Sequence, residues 1–138
     1  MTTPILTLIF FAGWGLTLVV MIVCWRAVEV LTGKTVANDF ASGSQHGGDL
    51  YWRLNRAHLN TLENLPIFGA LIVAGHLCGL TDGAFAQLAV TVVVGRVGQT
   101  FFHVASNRVM AVNLRFTCYL IQVAAMGAMV VSLIRLPG

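Results

Sequence analysis

Four apolar runs, each about as long as a bilayer is thick, constrain this chain more than any other feature. A helix needs about 20 mostly apolar residues to cross the hydrocarbon core. Residues 5–25 form the first run and carry no charge. Residues 62–80 form the second, which contains Glu63, Asn64, Pro66 and His76. Residues 84–105 form the third, interrupted by Arg96, and 116–134 the fourth. Hydrophobic residues make up 57% of the chain and charged residues 9%. A soluble domain carries about a quarter charged residues. With a mean hydropathy of +0.83, this chain lacks the polar groups to cover itself in water, and the bilayer is its natural solvent.

The expected fold is all-α: a left-handed, up-down bundle of four transmembrane helices in a single domain over residues 1–138. Allowing for polar helix ends, the helices are expected near 5–25, 50–80, 84–105 and 112–135. The Thr81-Asp82-Gly83 turn is too short for anything but antiparallel neighbours, and Gly79 ahead of it suits a helix C-terminus. Asp49 is the expected N-cap of the second helix. The polar segment before it, with Lys34, Asn38, Asp39, Ser42, Gly43, Ser44, Gln45 and His46, reads as a surface loop. Pro66 is expected to kink the second helix, and His76 to be a hydrogen-bonded packing residue. Cys24, Cys78 and Cys118 all fall in apolar runs without CxxC spacing, which reads as reduced packing residues.

Basic residues set the orientation. The first loop and its edges carry Arg26, Lys34, Arg53 and Arg56, and the third carries Arg108 and Arg115. The short second loop carries none. Both termini are therefore expected outside, with loops 1 and 3 in the cytoplasm. Trp25 and Trp52 fall where an interfacial aromatic belt would lie; Trp14 falls mid-span, packed or facing lipid. The net charge of +3 is too small and too scattered for a nucleic-acid surface.

Charges inside a span are costly, about 2.5–3.5 kcal/mol each on insertion scales, and persist where they have partners or water. Here they fall on stripes. Arg53, Arg56, Asn60 and Glu63 are spaced 3, 4 and 3 apart, which places them on one helical face. Arg96, Gln99 or Thr100, and His103 repeat the spacing on the third helix. Arg115, Tyr119 and Gln122 repeat it on the fourth. All three stripes lie toward the end carrying loops 1 and 3, which predicts one wet pocket near the cytoplasmic leaflet. Four arginines there face Glu63 as the only acid. Glu63 is expected to pair with one of them, leaving a positive excess suited to an anionic ligand, because guanidinium binds carboxylate bidentately. No His, Asp and Glu cluster has metal-ligand spacing, so no metal is expected. The Gly33-Lys34-Thr35 triplet lacks the preceding glycine and strand of a phosphate loop.

The segment from Arg53 to Phe68, RLNRAHLNTLENLPIF, resembles the MAPEG family, the membrane-associated proteins of eicosanoid and glutathione metabolism. The RAHxNxxEN pattern followed by PxF is most similar to the microsomal glutathione transferase and prostaglandin E synthase branch. His46-Gly47-Gly48-Asp49-Leu50-Tyr51-Trp52 resembles bacterial members. Four helices, a long first loop and Gly95-Arg96-Val97 on the third helix also agree, so the likeness covers nearly the whole chain.

The resemblance implies a homotrimer of four-helix bundles in a bacterial inner membrane, with glutathione held as co-substrate between adjacent subunits. Arg56, Asn60 and Glu63 match the family's glutathione-binding positions, and Arg96 matches its third-helix arginine. Arg53, Gln99 and His103 join them as candidate binding residues, with Gln99 and His103 standing where relatives carry other side chains. Arg115 with Tyr119 resembles the fourth-helix arginine and tyrosine, the arginine stabilising the glutathione thiolate. The segment before Arg115 is longer than in mammalian relatives, which makes Arg108 the alternative. The implied activity is glutathione-dependent transfer to lipophilic electrophiles entering from membrane lipid, with peroxidase activity as an extension. The alternative is a non-catalytic lipid-binding or scaffolding protein of the same fold.

Overall fold

Pro4 sits in the first turn of the first helix, where a backbone N–H has no partner to lose. This helix, α1, runs Thr3–Leu31. The structure is a computed structural model and describes residues 1–40, 45–106 and 108–136; Ser42, Gly43 and Ser44 of the expected loop lie outside the described residues. α2 spans Asp49–Leu77, α3 Gly83–Ala105 and α4 Val109–Ile134. Among the described residues the only other element is a short 3-10 turn, Ala37–Asp39.

α1 continues six residues past the expected end. The apolar run stops at Arg26, but a helix does not stop where its hydropathy does, and the last two turns of α1 carry Arg26 and Glu29. The N-cap of α2 is Gly48 rather than Asp49. Asp49 instead occupies the first turn, where its carboxylate meets the positive end of the helix dipole. α2 runs on through Pro66. It ends as expected at Gly79, whose φ of 78° is open to glycine without strain. Leu80 N–H then reaches back to Gly75 O at 2.8 Å and Gly79 N–H to His76 O at 3.2 Å, a Schellman-type closure.

The helices alternate in direction. α3 packs most extensively on α4, and α1 on α2; α3 also touches α1 and α2. The ends of α1 and α3 and the starts of α2 and α4 therefore share one end of the bundle. Toward the opposite end lies the main apolar cluster, where Phe11, Phe68, Ile72, Phe85, Val92 and Met129 interlock. A smaller cluster, Leu18, Ile22, Tyr51 and Leu54 with Trp14, Phe40 and Val104, holds the loop-1 end. α4 contributes nothing to it.

By length and composition α1, α3 and α4 can each cross a membrane, with mean hydropathies of 2.4, 1.4 and 1.9. α2, expected as a fourth span, is as long as α1, but its polar stripe and Asn64 keep it from qualifying by composition. The outer faces of α1 and α4 expose Ile9, Phe10, Leu16, Leu120, Val123 and Val131, as lipid-facing surfaces do. Among the cysteines only Cys118 is partly packed; Cys24 and Cys78 are exposed. His76 is exposed too, at the last turn of α2. The packing role expected of Cys24, Cys78 and His76 is corrected: Cys24 and His76 lie on exposed sides of their helices, and Cys78 is the exposed cap that ends α2.

Candidate functional site

The absence of α4 from the loop-1 cluster leaves a gap between α4 and the α2–α3 pair, and polar side chains line it. One cavity of about 330 Å³ is walled by Asn60 and Glu63 of α2, Gln99 and His103 of α3, and Arg115 and Tyr119 of α4, with Val112 and Phe116. A second, of about 320 Å³, lies nearer the helix ends and is walled by Gln45, Asp49, Trp52, Arg53, Arg56, His103 and Arg115. The two meet at His103 and Arg115. Each is of the size of small-molecule sites, about 300–1,000 Å³. Members of all three stripes thus meet at these cavities, though Arg96, Thr100 and Gln122 line neither.

Arg115 Nη1 lies 3.2 Å from His103 Nδ1. An arginine can only donate, so Nδ1 accepts and the ring hydrogen sits on Nε2. Arg115 is thereby fixed at the junction of the two cavities by a neighbour twelve residues away. Arg108 stands elsewhere: it is the exposed N-cap of α4 and lines a different cavity with Phe102, Met110 and Leu114.

Beneath the inner cavity lies a buried polar network. Arg96 is 1% exposed, donates to Gln99 Oε1 at 2.8 Å and holds its guanidinium 5.6 Å from the Phe11 ring centroid. Gln122, fully buried, donates to the same Gln99 oxygen at 3.1 Å and to Cys118 O at 2.9 Å. With its oxygen held by two donors, one of which cannot accept, the Gln99 amide can turn only its NH2 group elsewhere. Gln99 lines the inner cavity, so what it offers there is a donor. Arg96 lines neither cavity.

The α3 stripe therefore splits between two interfaces. Arg96 and Thr100 face α1, where Trp14 Nε1–H donates to Thr100 Oγ1 at 3.3 Å. Trp14 is thus tied to α3 rather than simply packed. Gln99 and His103 face α4. This is possible because Gly95 lets α4 come close: a Cβ there would stand 2.8 Å from Gln122 Cγ and 3.3 Å from Cys118 O.

Two charge expectations need correction. Glu63 makes no ion pair with an arginine; among the described residues the ion pair is Lys34–Glu29, at 4.0 Å. Glu63 stands exposed at the midpoint of α2, between exposed Leu59, Leu62 and Ile67. Nor is Glu63 the only acid of the zone, since Asp49 lines the outer cavity. Its position in the first turn of the stripe's own helix was the signal. The excess remains positive, with Arg53, Arg56 and Arg115 against Asp49 in the outer cavity. Arg53 lines this cavity, and its Nε is buried without a hydrogen-bond partner. Gln122 was legible as a member of the α4 stripe but not as the residue that orients Gln99.

Antiparallel apolar helices around an arginine-rich polar cleft at one end define a membrane-embedded all-α bundle. The chain belongs to the MAPEG family, whose profile matches residues 5–135. No curated protein matches it significantly.

Proposed function

We propose that this protein is a glutathione-dependent membrane transferase acting on lipophilic electrophiles, with peroxidase activity on lipid hydroperoxides, working as a homotrimer. The observation that carries the reading is the convergence of Asn60, Glu63, Gln99, His103, Arg115 and Tyr119 on one cavity that opens into a second rich in arginine. Family membership supports the same chemistry.

Glutathione has two carboxylates, an ammonium and a thiol. Arg53 and Arg56 suit the carboxylates, bidentately. Glu63 suits the ammonium. Arg115 stands at the junction, where its charge would lower the thiol pKa from the usual value of about 8.5 and favour the thiolate. The thiolate sulfur would attack the electrophilic carbon, forming an S–C bond while the leaving group departs with its bonding pair; the thiol proton goes to solvent. In the peroxidase reaction a second glutathione completes the disulfide as the hydroperoxide is reduced to alcohol and water. The electrophile would enter from the membrane side. A charged Glu63 exposed among exposed leucines at mid-helix is costly against lipid, which favours a neighbouring subunit over that face.

The test is titration of the detergent-purified protein with glutathione, followed through thiolate absorbance, then addition of an aryl halide. The expected result is saturable thiolate formation and conjugate, both lost in Arg56→Ala and Glu63→Gln. Absence of binding by the folded protein would favour a scaffolding or lipid-binding role instead.

A further inference from the structure

The loop-1 ends of α1 and α2 hold a second pair of cavities, separate from the cleft against α4. One is an apolar groove of about 540 Å³, walled by side chains such as Met21, Val28, Leu50, Leu54 and Val104. The other, of about 230 Å³, is walled by the rings of Trp25, Phe40, His46 and Tyr51 together with the carboxylate residues Glu29 and Asp39. Trp25 and Glu29 line both, so the apolar groove runs into the aromatic and acidic chamber.

The chamber has the composition of an ammonium site. The Tyr51 ring lies 6.0 Å from Phe40 and 6.1 Å from Trp25, tilted against each. The Phe40 and Tyr51 rings are already covered by Arg26 and His46, so the groups left to attract an organic cation are the Glu29 and Asp39 carboxylates with the Trp25 ring beside them. Two cations flank it. Arg26 is held by a hydrogen bond to the Tyr51 hydroxyl and lies 5.0 Å over the Phe40 ring. Lys34, largely exposed, reaches Glu29 at 4.0 Å. Two carboxylates beside two basic groups match a zwitterion better than a simple cation or anion. The whole sits where α1 passes from its apolar run to its charged last turns, the level at which headgroups lie.

We propose that this is a binding site for an aminophospholipid of the phosphoethanolamine type. One acyl chain occupies the groove, the ammonium lies beside Glu29 and Asp39 at the Trp25 edge of the chamber, and the phosphate meets Arg26 and Lys34. The site is independent of the glutathione reading and stands or falls separately from it.

The test uses delipidated full-length protein in neutral detergent, titrated with phosphatidylethanolamine or phosphatidylglycerol of identical acyl chains, with bound lipid counted by native mass spectrometry. Phosphatidylethanolamine is expected to bind about tenfold more tightly, roughly 1.4 kcal/mol. The isosteric double variant Glu29→Gln, Asp39→Asn is expected to erase that preference while retaining helical circular dichroism. Glycerophosphoethanolamine, the same headgroup without chains, is expected to compete poorly. Equal or tighter binding of phosphatidylglycerol, an unchanged preference in the double variant, or equal competition by the chainless headgroup would overturn the proposal. So would a groove that takes no lipid because a second copy of the chain fills it.

Discussion

The Arg115 guanidinium and the His103 ring meet at 3.2 Å, on helices that run antiparallel, at the one place where the two polar cavities join. Arg115, and not the N-cap Arg108, is the cation that faces the cleft. Arg115→Ala is expected to return the bound glutathione thiol toward its ordinary pKa of about 8.5, so that thiolate absorbance at neutral pH largely disappears while glutathione still binds. Arg108→Ala, altering an exposed residue of another cavity, is expected to leave the absorbance intact. Isothermal titration beside ultraviolet difference spectra separates the two effects. The reverse pattern would transfer the role to Arg108.

His103 acts on Arg115 as a restraint, and the expected result of replacing it follows. In His103→Leu the guanidinium loses its acceptor and its fixed direction. Turnover is expected to fall about tenfold, near 1.4 kcal/mol of barrier, with the KM for glutathione changed much less. His103→Gln, which keeps an acceptor, is expected to recover part of the loss. A parallel rise in KM would mean that His103 binds glutathione itself.

Gln99 separates binding from folding. Gln99→Glu keeps an oxygen for Arg96 and Gln122 but removes the amide donor from the inner cavity and adds a negative charge. The protein is expected to stay folded and to bind glutathione at least tenfold more weakly. Gln99→Leu strips Arg96 of its hydrogen-bonding partner in a site 1% exposed, and leaving a buried donor unsatisfied costs about 1–3 kcal/mol, more when the donor is charged. Thermal unfolding in detergent is expected to show a large loss for leucine and a small one for glutamate. Equal losses would mean that the network carries little stability.

Gly95→Ala probes the α3–α4 contact. The new methyl would stand 2.8 Å from Gln122 Cγ, and overpacking of this kind costs about 1–3 kcal/mol. Small residues matter at such contacts because close helix approach, rather than expulsion of water, holds helices together in lipid. Gln122 is expected to withdraw from Gln99, lowering both the unfolding temperature and the glutathione affinity. Gly13→Ala, with nothing within 4 Å of its added Cβ, serves as the neutral comparison.

The sequence by itself determined the helices, their antiparallel order and the end at which the polar stripes gather. These follow from local quantities: apolar run lengths, a short turn closed by Gly79, and a helical period that puts Arg53, Arg56, Asn60 and Glu63 on one face. The tertiary structure decided which stripe residues meet. A helical face spans a wide arc, and periodicity does not say how a helix is rotated against its neighbours. Thus Arg96 and Gln99, three residues apart on one stripe, part company: the first turns beneath Phe11 and the second lines the cavity. Arg115 was separable from Arg108 only once α4 was docked on α3, because contact with His103 depends on the approach that Gly95 permits. Trp25, Phe40 and Tyr51 formed their chamber through long-range packing that no window of sequence contains.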